Sequence, residues 1–375
     1  MIRPLLTAHR ALVLALGIAV ASGCADADVD ASEGAAPSTT SEVEPDGEAL
    51  AQVAPTMPPK TFRNPLNTTQ GSDPFMAYHE GNYYLMATTW SSELVMKKSP
   101  TLDGLKTAKP VVVWRGDNPS RCCNFWAPEF YLLDGPSGKR WYLYFTAGPK
   151  GTDTSNQRNF VLESQGTDPM GPYTMKARIY DPRADVWAID GSILQLDKQL
   201  YFLFSQWEGE DQGVYIAPMR NPWQLSGGRV RISRPQYGWE TQLARVNEGP
   251  VALQRNGKTF IVYSASACWG PEYKLGMLTL NGGNPLSPSS WVKSLQPVFQ
   301  RSNANRVYGP AHNAFFKSPY GTETWNIYHA NDSDKGVCDV KRTTRVQKVN
   351  WRADGTPDFG IPVGTATPIP VPSGE

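Results

Sequence analysis

Five times in this chain a short alternating run ending in a turn leads into an aromatic, β-rich run: "YYLMATT" (83–89), "WYLYFTA" (141–147), "LYFLFSQ" (200–206), "TFIVYSA" (259–265) and "TWNIYHA" (324–330). Aligned on Thr88, Thr146, Ser205, Ser264 and His329, the runs stand 58, 59, 59 and 65 residues apart. A period of that length marks a repeat architecture. The leading runs, such as "DPFMAYHEGN", "DGSILQLDKQ" and "GPVALQRNGK", alternate with period two and end in Gly, Asn or Asp joints, which are hairpin signals. No stretch of the repeat region carries a helical period. The expected fold class is therefore all-β, a five-bladed β-propeller. Four strands per blade need only about half of each unit, which leaves long loops to build a site. A two-sheet sandwich is the alternative, but it does not by itself require the repeated strand-pair register.

Ahead of the repeats, Arg3 and Arg10 flank a polar start, "ALVLALGIAVA" is too short an apolar stretch to span a bilayer, and "ASGC" ends at Cys24. This resembles a bacterial lipoprotein signal, which implies cleavage before Cys24 and a lipid on its sulfur. A plain secretory signal is the alternative, and both imply export. Residues 24–59 are mostly Ala, Ser, Thr, Glu, Asp and Pro without periodicity and are expected to form a disordered tether. The expected organisation is a signal over 1–23, the tether over 24–59 and one propeller domain over 60–375.

Composition narrows the partner. Without the two signal arginines the chain has 34 basic and 35 acidic residues, so nothing calls for nucleic acid or a polyanion. Twelve Trp and sixteen Tyr suit a neutral ligand presenting C–H faces and hydroxyls, and a monomer is expected. Besides Cys24 there are Cys122, Cys123, Cys268 and Cys338. Adjacent Cα atoms sit about 3.8 Å apart, below the usual disulfide range, so Cys122 and Cys123 are not expected to pair with each other. No metal-ligand spacing accompanies them, and they are read as structural.

In a propeller the innermost strand of each blade runs along the central axis, so residues near its start meet at one mouth of the channel. Those places hold Asp73 in "SDPFMAY", Trp126 to Glu129 in "WAPEF", Asp190 in "IDGSI", Glu248 in "NEGPVALQ" and His312 in "GPAHNAFF". Singly, each has a plain reading as a turn residue or a packed histidine. Acids gathered round one axis repel each other unless one stays protonated or a site uses them, which favours a functional reading of the set.

The ordered set "SDP", "WAPE", "IDGS", "NEGP", "GPAHN" resembles glycoside hydrolase family 43, over about Asn64 to Pro362. That resemblance implies a five-bladed propeller that hydrolyses arabinose- or xylose-containing saccharides with inversion. It matches Asp73 to the general base, Asp190 to the carboxylate that tunes and orients the acid, and Glu248 to the general acid. His312 matches a histidine near the channel centre that in many members faces a metal, often calcium, partly through water; no organic cofactor is implied. Inversion needs one carboxylate to activate water and a carboxylic acid to protonate the leaving oxygen, about 6.5–9.5 Å apart.

Phe75, Trp126, Glu129, Trp207 and Trp269 are the candidates for holding sugar, although each aromatic has an ordinary reading as core. Arg345 is the candidate arginine beside the base, with Arg342 as its alternative. The "GPAHNAFF" segment and the ending "QKVNWRADGTPDFGIPV" resemble the arabinan-directed exo-acting α-L-arabinofuranosidases of the family. β-Xylosidase and endo-arabinanase activities are the alternatives, and a non-catalytic carbohydrate-binding propeller is the alternative of another class. A fructan-active propeller would need Asn-Asp-Pro, Arg-Asp-Pro and Glu-Cys motifs, and the sequence has none of them.

Overall fold

A computed structural model describes residues 60–151 and 153–375; the signal, the tether and Cys24 lie outside the described residues. Five antiparallel sheets follow one another in chain order. Blade one runs Ser72–His79, Asn82–Thr88, Glu93–Ser99 and Val111–Arg115. Blade two runs Cys123–Gly135, Gly138–Gly148, Arg158–Ser164 and Tyr173–Ile179. Blade three is Ile189–Leu196, Gln199–Glu208 and Asp211–Asn221, with Gln224–Leu225 and Val230–Ser233 both paired to its third strand. Blade four is Asn247–Arg255, Lys258–Ala265, Lys274–Leu280 and Trp291–Lys293.

Blade five has three strands of its own, Tyr308–Lys317, Thr324–Asn331 and Thr343–Lys348. The chain ahead of blade one completes it: Leu66 N–H donates to Thr344 O at 2.8 Å, Thr344 N–H to Asn67 O at 3.1 Å, and the Asn64 amide bonds both ways with Val346. Pairing the two ends of the repeat region across one blade closes the ring.

Alternation explains why the second strands read as nearly continuous apolar runs. In blade three Ile193, Phe202, Phe204 and Tyr215 pack toward blade two, while Leu194, Leu203, Val214 and Ile216 pack toward blade four. Successive side chains leave opposite faces of a strand, and both faces of a blade are covered by its neighbours. Burying each such side chain contributes about 1.5–3 kcal/mol.

One irregularity recurs in every innermost strand. The antiparallel register slips immediately after the pairs Ser72–Thr88, Trp126–Thr146, Ile189–Ser205, Glu248–Ser264 and Ala311–His329. The next residue has positive φ in each blade: Asp73 50°, Ala127 45°, Asp190 58°, Gly249 53° and His312 42°. These are β-bulges, which re-aim a side chain where a regular strand would not. Asp and His tolerate this left-handed region better than most residues, and Gly tolerates it freely.

The cysteines depart from expectation. Cys122 and Cys123 are bonded to each other across a Cα separation of 3.7 Å, and Cys268 pairs with Cys338 at 5.6 Å. The usual Cα range describes pairs free to approach from separate segments, whereas two neighbours on one chain close a small ring through their shared peptide.

Candidate active site

Three of the five bulges carry a polar side chain to the axial mouth. Asp73, Asp190 and His312 stand on the bulge itself, and Glu248 stands one residue earlier, with Gly249 on the bulge of blade four. All four line one cleft of about 310 Å³, together with Trp90, Trp126, Trp187, Trp207, Gln212, Trp269, Tyr273 and Arg342. The Cys268–Cys338 bond also borders it, tying the loop that carries Trp269 to the loop that leads to Arg342.

Asp73 is surrounded by donors. Thr88 Oγ1 donates to its Oδ2 at 2.7 Å, while Oδ1 faces His312 Nδ1 and His329 Nδ1, each at 3.3 Å, and Arg342 Nη1 at 3.4 Å. Burial alone would push this carboxyl up, but the facing His312, His329 and Arg342 groups outweigh it and hold it well below the usual carboxylate range. Of the three cleft acids, Asp73 is the one whose surroundings favour the charged form.

The other two acids have the opposite environment. Asp190 is raised well above its ordinary range by burial first, then by the nearby Glu248 and Asp73 charges. Glu248 is raised by burial and by Asp73, against hydrogen bonds that favour its charged form. Tyr273 donates its hydroxyl to Oε1 at 2.8 Å, and Gln212 its amide to Oε2 at 2.9 Å. Both carboxyls are thereby shifted toward the protonated form relative to an exposed carboxyl.

His312 was the expected metal contact. The oxygen facing its Nδ1, Asp73 Oδ1, also faces the Arg342 guanidinium, so that oxygen is already matched by fixed protein groups. Among the described residues no group of three or more His, Cys, Asp or Glu is arranged to hold a metal ion. No chemistry is routed through a metal ion at His312.

Three expected binding residues lie elsewhere. Phe75 and Glu129 are two residues past their bulges and buried, Phe75 against Phe130 and Tyr131, Glu129 beneath the Tyr131 hydroxyl. Burial pushes Glu129 up to about 8. Arg345 is fully buried and spends its guanidinium on Asp332 at 2.6 Å and Thr343 Oγ1 at 3.0 Å, so Arg342 is the arginine at the cleft. A strand's alternation separates 342 from 345, and only the loop geometry shows which one turns inward.

Trp90, Trp187, Gln212 and Tyr273 were not singled out from sequence, and nothing in their surrounding residues marks them. His329 did carry a signal: it is the one histidine in an alignment column otherwise filled by Thr and Ser.

A five-bladed propeller with three carboxylates and a tryptophan-rich wall at one end of its axis is a scaffold built to receive a neutral, hydroxyl-bearing ligand. The chain matches the model of glycosyl hydrolases family 43 over residues 62–357, and it belongs to that family. It is 38% identical over 335 residues to an extracellular exo-α-(1→5)-L-arabinofuranosidase of Streptomyces avermitilis, covering 86% of this chain and 68% of that one. It is 37% identical to α-L-arabinofuranosidase 43 of Humicola insolens, covering 80% of this chain and 64% of the relative. About a third of each relative's length thus has no counterpart in the match. Among solved structures, an α-L-arabinofuranosidase from Lactobacillus brevis superposes with a TM-score of 0.74 at 34% identity, over 81% of this chain and 98% of the other.

Proposed function

We propose that this protein is an exported α-L-arabinofuranosidase that releases arabinose from arabinan or arabino-oligosaccharides by inverting hydrolysis. The observation that carries the reading is the division among the cleft carboxylates: one is held ionised by two imidazoles and a guanidinium, and two are kept partly protonated by burial and mutual charge. Carboxylates pushed apart in this way take the roles of base and acid. Asp73 would accept a proton from the attacking water, and Glu248 would deliver its proton to the glycosidic oxygen. Asp190 would keep Glu248 charged with that proton and hold it in place.

Three buried donors in the cleft, Trp90 Nε1, Trp126 Nε1 and Arg342 Nη2, have no partner among the described residues. The exposed faces of Trp207 and Trp269 would receive C–H faces of the sugar. The names of the Streptomyces and Humicola relatives support arabinose as the sugar, and the word extracellular in the former supports export. The lipid on Cys24 belongs to the same proposal and rests on the "ASGC" segment.

The purified protein assayed on aryl α-L-arabinofuranosides, aryl β-xylosides and debranched arabinan tests the sugar, and proton NMR of the first product tests the stereochemistry. Release of β-arabinofuranose is expected. A first product with retained configuration, or turnover confined to xylosides, would overturn the reading.

A further inference from the structure

The alignment column that revealed the repeat proves to be a ring of bonds between blades. Thr88 Oγ1 accepts the Ala127 N–H at 2.8 Å, Thr146 Oγ1 the Asp190 N–H at 3.1 Å, and Ser264 Oγ the His312 N–H at 2.7 Å. Each hydroxyl on a second strand thus latches onto the bulge peptide of the next blade. Blade three is the exception: Ser205 turns to the Asn247 carbonyl at 3.3 Å, and the Gly249 N–H goes instead to Asp190 Oδ2 at 2.9 Å.

The latch that closes the ring, from blade five back to blade one, is His329. Its Nδ1 lies 3.0 Å from the peptide nitrogen of Asp73. A hydroxyl suffices for this job in three other blades, so ring closure alone does not call for a histidine. What the imidazole adds is reach. Its Nδ1 is also 3.3 Å from Asp73 Oδ1, its Nε2 is 3.2 Å from Arg342 Nη1, and its face stacks on Tyr273 with centroids 5.7 Å apart and planes 17° from parallel. Tyr273 in turn donates to Glu248 Oε1 at 2.8 Å.

The neutral ring has one nitrogen that donates and one that accepts. In one tautomer Nδ1 takes the Asp73 N–H. In the other, Nδ1–H donates to the Asp73 carboxylate while Nε2 takes a guanidinium hydrogen from Arg342. A seryl or threonyl side chain can hold the peptide but cannot also reach the guanidinium and the tyrosine.

We propose that His329 is a positioning residue that sets the base Asp73 and the acid Glu248 in one fixed relation, through its Nδ1 contact with Asp73 on one side and the Tyr273 ring on the other. This inference rests on the roles assigned to Asp73 and Glu248 above. It concerns a residue that does not line the cleft and works by placing the groups that do: reacting groups displaced by about 1 Å can cost about 10²-fold in rate.

The test is His329→Ser, which installs the latch residue of blade four. Circular dichroism and the melting transition should show an intact propeller, because the hydroxyl can still take the Asp73 N–H. kcat on an aryl α-L-arabinofuranoside should fall about 10²-fold, with KM changed by less than about threefold. His329→Gln, whose amide offers both an acceptor and a donor, should recover about tenfold of that loss. The double variant Asp73→Ala/His329→Ser should lose less than the product of the two single losses, since part of the histidine's effect runs through the base and is already gone in Asp73→Ala. A folded His329→Ser protein with kcat within about threefold of wild type, equal rates for His329→Gln and His329→Ser, or additive losses in the double variant would each overturn the proposal. Activity surviving in Asp73→Ala itself would instead overturn the assignment of the base.

Discussion

The peptide N–H of Gly249 donates to Asp190 Oδ2 across 2.9 Å, so the residue that follows Glu248 is tied to the neighbouring blade's carboxylate. This bond takes the place that a second-strand hydroxyl holds in the other blades. It fixes Glu248 beside Asp190, and it leaves the bulge of blade four without a side chain. At φ 53°, a Cβ on Gly249 would stand 3.2 Å from both Cε1 and Nδ1 of the His312 ring.

Gly249→Ala should therefore cost stability and rate together. The left-handed conformation penalises an L side chain by about 1–2 kcal/mol, and the methyl would press His312 away from Asp73. Chemical denaturation should report a loss of that size, and kcat should fall while KM changes less. A variant as stable and as fast as wild type would show that the close packing around the bulge is not needed.

Glu248→Ala separates the acid from the base by leaving-group chemistry. A general acid contributes about 10²–10⁴ in rate, and less when the departing group needs no proton. The variant should be severely impaired on arabino-oligosaccharides and recover much of its rate on an aryl arabinofuranoside with a strongly acidic phenol. Asp73→Ala should show no such recovery, because water must be activated whatever leaves. Equal losses for Glu248→Ala on both substrates would count against its role as proton donor.

Asp190→Asn should move the basic limb of the pH–rate profile downward. Burial and neighbouring negative charge both raise the Asp190–Glu248 pair. Neutralising residue 190 removes one charge, so Glu248 loses its proton at lower pH, and activity that needs the protonated acid is lost there too. The asparagine oxygen can still accept the Gly249 N–H, which keeps the geometry. A basic limb that stays in place, measured as kcat/KM against pH, would contradict the coupling.

Glu129 offers a stability test apart from catalysis. Its carboxyl, 6% exposed under Tyr131, is raised by burial from 4.5 to about 8. Between those values the folded chain keeps a proton that the unfolded chain releases, so this contribution is full below about pH 4.5 and is lost as pH rises through about 8. The corresponding span is roughly 3–6 kcal/mol. Glu129→Gln keeps an acceptor for the Tyr131 hydroxyl and cannot ionise. Denaturant unfolding across pH 5–8 should therefore show a shallower decline in the variant, and parallel curves would mean that Glu129 is not protonated in the folded chain.

The propeller was legible because its signal is local and repeated: period-two alternation, turn residues at the joints, and a Ser, Thr or His at one place in each unit. That column marked the repeat without revealing its work, since a latch between blades is a contact between residues about forty to fifty positions apart, or on opposite ends of the chain for His329 and Asp73. Asp73, Asp190, Glu248 and His312 were also legible, as acids and a histidine near the starts of innermost strands. Their one-residue offset in blade four was not, because a bulge is a slip in pairing and leaves no mark in the strand's own alternation.

Sequence by itself determined the number of blades, the strands that line the axis and the residue types brought to its mouth, because periodicity and turn chemistry act over a few neighbouring residues. Tertiary structure decided which arginine faces Asp73, that Phe75 and Glu129 sit in the core, that Cys122 bonds to Cys123, and that Tyr273 and Gln212 hold Glu248. Apart from the local Cys122–Cys123 bond, each of these depends on where a loop or a second strand lies against another blade. The separate environments of Asp73 and of the Asp190–Glu248 pair are of the same kind: a carboxylate's charge is set by what surrounds it, and the surroundings come from four different blades.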